Sequence, residues 1–185
     1  MQRVWPFWPV WPIWQRVLHG LLAASVLTAL ATFEGGTVHE AAGYVALIVA
    51  LLRSALGLAG PAVARFETFL RGPAATLAYA RQLLRGSEPR HLNHNPLGAW
   101  MVLALLLTVS ASAALGALFV TDAFWGINWV IVAHAVLAWS LVPMIVLHWL
   151  GVWHASRRHG ENLAAAMWHG RKRAPGGDEL TPPAT

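Results

Sequence analysis

The chain of 185 residues contains no cysteine, only two tyrosines and few charged residues, which make up 11% of the sequence. The lack of cysteine excludes disulfides, thiolate chemistry and cysteine-ligated zinc or iron–sulfur centres. Any metal would have to be held by histidine, of which there are nine. Hydrophobic residues reach 57%. This composition is too apolar for an ordinary soluble domain and predicts an integral membrane protein.

Four apolar runs are each long enough to cross about 30 Å of hydrocarbon. They cover residues 14–33, 39–58, 97–120 and 130–153. We therefore predict an all-α transmembrane four-helix bundle within a domain of residues 14–173. A Trp/Pro-rich arm, residues 1–13, precedes it, and a flexible tail, residues 174–185, follows it. Residues 59–96 mix apolar side chains with arginines, which predicts one or two short amphipathic helices along the cytoplasmic interface.

The formal charge of +5 does not indicate nucleic-acid binding, because the basic residues lie almost entirely in segments that flank the apolar runs. They precede the first run, separate the second from the third, and follow the fourth. The other two connections carry only Glu34, Glu40 and Asp122. Because basic segments are retained in the cytoplasm, the charge distribution predicts the orientation of a multi-pass membrane protein. Both termini and the middle loop would be cytoplasmic.

The N-terminal arm repeats tryptophan every three residues, with a proline after each of the first three. The tryptophans are Trp5, Trp8, Trp11 and Trp14. Polyproline II has three residues per turn, so this pattern predicts indoles along one edge of an extended arm. We favour an anchor at the membrane interface, where tryptophan is enriched. A docking arm for a partner subunit is the alternative.

The fourth run, VIVAHAVLAWSLVPMIVLHWLGVW, contains two histidines, His134 and His148. Fourteen helical residues rise about 21 Å and return to nearly the same face. The two imidazoles should therefore face one way, near opposite membrane surfaces. An ionisable side chain at membrane depth is costly and marks a functional site by default. His154 is twenty residues from His134, which turns it toward another face.

Two more histidines lie at matching depths on the first two helices. His19 is about one turn inside the cytoplasmic end of the first helix, and His39 begins the second helix at the outer surface, one turn before Gly43. Depth thus pairs His19 with His148 on the inside and His39 with His134 on the outside. For His19 alone, a buried histidine bonded to a backbone carbonyl is an equally good interpretation.

Two neutral imidazoles on facing helices suit the axial positions of a haem iron. Zinc usually takes three or four protein ligands, and a proton relay would use intramembrane carboxylates, which these runs lack. We therefore predict two b haems, an outer one held by His39 and His134 and an inner one held by His19 and His148. Such a protein carries electrons and needs no separate catalytic residue.

Several other polar residues have more than one interpretation. Arg53 either snorkels to the interface or pairs with an anionic group of a ligand. His91 is interpreted as a solvated loop residue, and His94 lies where acidic groups of a cofactor could emerge. His159 and His169, in the basic tail, are expected to contact solvent or lipid headgroups.

The third run has no histidine, and its small residues, among them Ser112 and Gly116, predict a purely structural helix-packing face. A quinone pocket needs only a few polar groups near a haem edge. Arg53, His94 or the basic tail could supply them inside, and the loop from Trp125 to Trp129 could do so outside.

Five segments carry a resemblance to a known family: WQRVLHG, HEAAGYVALIVALLRSALGLAG, ARFETFLRGPAATLAYARQLLRG, HNPLGAWMVLALLLTVSASAALGALF and HGENLAAAMWHGRKR. From Trp14 to Arg173 the chain resembles the prokaryotic cytochrome b561 and Ni,Fe-hydrogenase b-type cytochrome superfamily. The resemblance implies a di-haem cytochrome b of the bacterial inner (cytoplasmic) membrane. The family's haem ligands would correspond to His19, His39, His134 and His148, the same four residues.

The resemblance also implies electron exchange between membrane quinone and a redox partner such as a hydrogenase, a dehydrogenase or a cytochrome c. One hypothesis is therefore an electron-transfer subunit of a respiratory chain. A second is a self-contained superoxide:quinone oxidoreductase, so whether the chain is an enzyme in its own right stays open. A third is a membrane anchor or transporter in which the histidines merely pack.

Overall fold

A computed structural model describes residues 7–173 of the chain. Its elements, in chain order, are β1 (Phe7–Pro9), α1 (Ile13–Ala31), α2 (Thr37–Ala59), a 3-10 turn (Phe66–Thr68), α3 (Pro73–Leu84), α4 (Pro96–Phe119), α5 (Asn128–His159), α6 (Leu163–His169) and β2 (Arg171–Arg173). Helices α1, α2, α4 and α5 are long and apolar enough to cross a membrane. The predicted all-α four-helix bundle is confirmed. The predicted tail, residues 174–185, lies outside the described residues.

Helix α5 differs most from its predicted bounds, because it continues six residues beyond the apolar run, from 153 to 159. Arg157, Arg158 and His159 occupy its last turn, where basic side chains favour the negative end of the helix dipole. The helix ends at Gly160, whose φ of 60° is the left-handed conformation that terminates many helices. Pro143 lies inside α5, and the helix runs through it.

The long helices pack in the order α1, α2, α4, α5, each against the next. By contrast, α1 and α2 make few close backbone approaches to α5. A gap therefore separates α5 from the first two helices, and both predicted histidine pairs face each other across it.

An apolar layer fills the middle of the bundle. It contains Val26, Ala46, Ala50, Leu106, Val109 and Leu141, so all four long helices contribute. Leu141 is seven residues from His134 and seven from His148, which sets this layer about 10 Å from each of them along α5. Small residues such as Ala46 and Ala50 let neighbouring helices approach closely. The layer divides the bundle into two separate ends.

The two ends of the bundle are built differently. The "loop end" consists of two short connections, residues 32–36 and 120–127. The "capped end" gathers residues 7–12, 60–95 and 160–173, including α3, α6 and both strands. The predicted short helices of the middle loop are present there as the 3-10 turn and α3. Asn95 begins α4 as its cap, because its side chain accepts a hydrogen bond from the Gly98 N–H at 2.7 Å.

The N-terminal arm folds back onto the C-terminal segment of the same chain. Strand β1 pairs antiparallel with β2, and Trp14 already belongs to α1, so the predicted polyproline run does not extend to Trp14. Trp11 is only 8% exposed; its ring lies 5.0 Å from the His94 ring and 5.8 Å from the Lys172 ammonium. The interpretation as an interfacial anchor is therefore wrong for Trp11. Trp5 lies outside the described residues.

Candidate cofactor sites

The loop end holds His39 of α2 beside His134 of α5, with ring centroids 6.0 Å apart. The Nδ1 of His39 donates a hydrogen bond to the Ala29 carbonyl at 3.0 Å, and the Nδ1 of His134 donates to the Ser112 carbonyl at 2.8 Å. A carbonyl can only accept, so both rings carry their proton on Nδ1. Each Nε2 is left with a lone pair for a metal, the arrangement that fixes the tautomer of metal-binding histidines.

Helix α4 positions His134 in two ways. Besides the Ser112 carbonyl contact, the Ser112 hydroxyl donates to the His134 carbonyl at 3.3 Å. Gly116 leaves room for the imidazole, because a Cβ there would stand 3.0 Å from His134 Cε1. The prediction that this helix is purely structural is therefore wrong. Sequence offered one signal, the placement of Ser112 and Gly116 one turn apart on the same face.

The capped end holds His19 of α1 beside His148 of α5, with ring centroids 6.4 Å apart. Within residues 7–173 neither imidazole takes part in a hydrogen bond. His19 is exposed, and nothing lies within 4 Å of where a Cβ on Gly20 would stand. The alternative interpretation of His19, as a buried histidine bonded to a carbonyl, is therefore wrong.

Ring spacing limits what each pair can bind. A histidine nitrogen binds a metal at about 2 Å, so two imidazoles on opposite sides of one ion have centroids about 6 Å apart. Both pairs have this spacing. Space is also open beside His39, because a Cβ at Gly43 would meet nothing within 4 Å. Among residues 7–173, no three His, Asp or Glu side chains gather as a metal-binding group. Each pair thus has the spacing that two imidazoles on opposite sides of one metal ion would need.

His154 and Arg53 lie outside these two pairs. The His154 Nε2 is 3.4 Å from the Glu88 Oε1, so this histidine faces away from His148, as its helical phase predicts. Arg53 is buried and does not snorkel. Its Nη1 donates to the Ala64 carbonyl at 3.2 Å, and its guanidinium lies over the Phe66 ring.

Two further histidines are built into the capped end. His91 is not a solvated loop residue, because its ring contacts Tyr79 at 5.5 Å, and burial together with nearby positive charge lowers its pKa. The His94 ring lies 4.5 Å from the Phe69 ring. Burial, aided by the charge of Lys172 and other neighbours, lowers the pKa of His94 to about 3. Both imidazoles are therefore neutral at pH 7.

Long-range ion pairs at the capped end were not predicted from the sequence. Glu88 pairs with Arg158 at 3.3 Å, and Arg90 forms a buried ion pair with Glu161. The basic tail is folded rather than solvated. Lys172 is 7% exposed and its ammonium donates to the carbonyls of His91 and Asn93, whereas His169 remains exposed. Sequence periodicity does not reveal such contacts, because their partners are separated by about 70 to 80 positions.

A protein-family profile described as prokaryotic cytochrome b561 matches residues 10–170. The chain belongs to the prokaryotic cytochrome b561 family. As a cytochrome b561, it is a multi-pass membrane protein that binds haem b and takes part in electron transfer. The hypothesis of a haem-free anchor or transporter is therefore wrong. No curated protein and no solved structure matches the chain.

Proposed function

We propose that this cytochrome b561 carries electrons across the bacterial inner membrane, between quinone and a redox partner protein, through two b haems. One haem would be held by His39 and His134, the other by His19 and His148. The observation that carries this proposal is the ring spacing of 6.0 Å and 6.4 Å in the two pairs. A haem held by two histidines of the chain would supply single-electron transfer rather than oxygen binding.

The chain's own residues fix the geometry of the loop-end site. The Ala29 and Ser112 carbonyls orient the two loop-end imidazoles through Nδ1 and leave each Nε2 with a lone pair for a metal. The apolar middle layer keeps the two sites apart and excludes water from the path between them. About 21 Å along α5 separates His134 from His148, enough to place one site near each membrane surface.

Charge supports the orientation with both termini in the cytoplasm. The capped end carries the arginines and Lys172 of the middle loop and of the C-terminal segment, whereas the loop end carries only acidic charged residues. Positive charge is retained on the cytoplasmic side. The His19–His148 pair would then lie near the cytoplasm and the His39–His134 pair near the outer surface.

Quinone would react at the capped end. An apolar groove of about 480 Å³ opens there between α1 and α2, lined by residues that include Trp14, Leu18 and Leu56. Such a groove suits the hydrocarbon tail of a quinone. Arg71, His91 and Asn93 line a small cavity at the same end and offer polar groups for its head group.

The loop end favours a protein partner over superoxide as the other reactant. Its charged residues, Glu34, Glu40 and Asp122, are all exposed carboxylates. Superoxide is an anion, and a negative surface slows the approach of anions. A partner protein with a positive surface would be drawn to the same end.

The test is purification followed by haem quantification and reduced-minus-oxidised spectra. Two b haems per chain and a split α band are expected. A preparation with one haem, or with none, would contradict the proposal. In liposomes, quinol on the side of the capped end should reduce an acceptor enclosed on the other side. Haem reduction by superoxide at a rate that matches quinone turnover, without any partner, would instead support the self-contained oxidoreductase.

A further inference from the structure

Helix α3 lies across the capped end and is attached to the bundle near both of its ends. Near its start, the indole N–H of Trp100 in α4 donates to the Arg71 carbonyl at 3.1 Å and to the Thr76 hydroxyl at 3.2 Å. Just beyond its end, Arg158 of α5 donates to the Gly86 carbonyl. These contacts give α3 a fixed position on α4 and α5.

The two faces of α3 differ in burial. Tyr79, on the inner face, is only 5% exposed. On the opposite face, Leu77 and Leu84 are 52% and 88% exposed, and Arg81 and Arg85 are exposed as well. At 100° per helical residue, these four outward side chains fall within an arc of about 100°, with the leucines on one side of it and the arginines on the other. The outward face therefore combines apolar and basic groups.

The two outward arginines have no anionic partner in the described part of the chain. Within residues 7–173, the side chains of Arg81 and Arg85 take part in no hydrogen bond or ion pair. Helix α3 contains no Asp or Glu. The acidic residue that follows it, Glu88, is buried and paired with Arg158 at 3.3 Å. Both guanidinium groups are therefore available to an anion from outside the chain.

The level of α3 relative to the bilayer follows from its contact with α4. Trp100 lies about 6 Å from the start of this membrane-spanning helix. Trp100 and Leu107 are seven residues apart, on one face, and both are exposed, as lipid-facing side chains are. Tryptophan is enriched where the hydrocarbon meets the headgroups. Because Trp100 bonds directly to the start of α3, this helix lies at the level of the lipid headgroups.

We propose that the outward face of α3 is a binding site for an anionic phospholipid. Arg81 and Arg85, one turn apart, hold the phosphate, because guanidinium groups pair closely with phosphate oxygens. Leu77 and Leu84 contact the acyl chains next to the headgroup, as the apolar side of an interfacial helix does. A zwitterionic lipid has the same phosphate, but the arginines repel its ammonium group. The lipid site is independent of where haem and quinone bind.

The test places the holoprotein in lipid nanodiscs with photoreactive phosphatidylglycerol or photoreactive phosphatidylcholine, and mass spectrometry locates the crosslinks. Phosphatidylglycerol should label α3 in preference to phosphatidylcholine. Arg81→Gln/Arg85→Gln should lower this preference about 10-fold or more, because each basic residue near an anionic surface contributes roughly 5-fold to binding. In the wild type, about 1 M salt should also lower it, because charges are then screened beyond about 3 Å.

Arg65→Gln/Arg171→Gln is the matched control, because it also removes two positive charges of the capped end but leaves α3 unchanged. This variant should keep the wild-type preference for phosphatidylglycerol. An equal loss of preference in the two double variants would show that net charge, rather than the face of α3, attracts the lipid. That result would overturn the site.

Equal labelling of α3 by the two lipids in the wild type would also overturn the proposal, and it would favour an acidic protein as the partner of this face. Haem content and spectra should match the wild type in both double variants, because the substituted side chains lie outside the bundle. If Arg81→Gln/Arg85→Gln lost haem, the single variant Arg81→Gln and the salt dependence of the wild type would carry the test.

Discussion

The loop-end and capped-end histidine pairs share a ring spacing but differ in what holds the rings. At the loop end, backbone carbonyls of Ala29 and Ser112 fix the imidazoles. At the capped end, His19 and His148 make no hydrogen bond within residues 7–173 and lie under a cover built from three separate chain segments. The bundle alone therefore prepares the loop-end site, whereas the capped-end site depends on the cover and on what it binds.

Removing one imidazole should have the largest effect. His134→Ala should eliminate the loop-end haem and halve the haem content, since His39 alone would hold that haem much more weakly. His148→Ala should eliminate the other haem. The measurement is the haem-to-protein ratio together with the split α band. The exposed His169→Ala is the control and should keep both haems. Loss of the same spectral component from both variants would contradict the pairing.

Gly116→Ala should test whether close packing by α4 positions His134 at the loop end, without removing either proposed ligand. The added methyl would stand 3.0 Å from His134 Cε1, so the ring must shift by a few tenths of an ångström, which disturbs its hydrogen bond to the Ser112 carbonyl. We expect about 10- to 100-fold weaker haem binding at the loop end only, the usual effect of disturbing a ligand's supporting hydrogen bond. Titration of haem into the apoprotein measures it.

Gly151→Ala is the matched control for Gly116→Ala, because nothing lies within 4 Å of the Cβ position at Gly151. It should bind both haems as the wild type does. Equal affinity in the two variants would show that close packing at Gly116 does not position His134.

The cover of the capped end should be sensitive to acid through His94. Its folded-state pKa of about 3 is below the ordinary value of 6.5, so between these values the unfolded chain binds a proton that the folded chain does not. The free energy of unfolding therefore does not depend on His94 protonation above about pH 6.5. As the pH is lowered from 6.5 toward 3, it falls by at most about 1.4 kcal/mol per pH unit. Hydrogen exchange of capped-end amides between pH 7 and pH 5 measures the change.

His94→Gln should flatten this dependence, because glutamine does not titrate in the range. The loop-end amides serve as the internal reference within the same experiment. An unchanged pH slope in His94→Gln would assign the acid sensitivity to other groups.

Sequence predicted the long helices and the histidine partners because both depend on one-dimensional regularities. Helical phase brings His134 and His148 to one face, and their positions along the apolar run set their depth. The same argument from helical phase excluded His154 as a proposed haem ligand, and His154 contacts Glu88 instead. These features need no knowledge of how the helices meet.

The missed features all depend on how distant segments meet. The use of the Ser112 carbonyl, the pairing of β1 with β2, and the burial of Lys172 have no periodic signature. Trp11 was misinterpreted for this reason. Tryptophan suits a membrane interface, but here the middle loop offers Trp11 a packed position against His94.

Ser112→Ala should have the smallest effect and distinguishes backbone from side-chain control of His134. The substitution removes the hydroxyl that donates to the His134 carbonyl but keeps the Ser112 carbonyl that accepts from Nδ1. We expect a loss of about 0.5–1.5 kcal/mol in stability, typical of one hydrogen bond, and unchanged haem stoichiometry. If Ser112→Ala lost haem as readily as Gly116→Ala, the hydroxyl rather than the backbone would hold the ring. The backbone of the bundle would then orient the imidazoles of the loop-end site no better than those of the capped-end site.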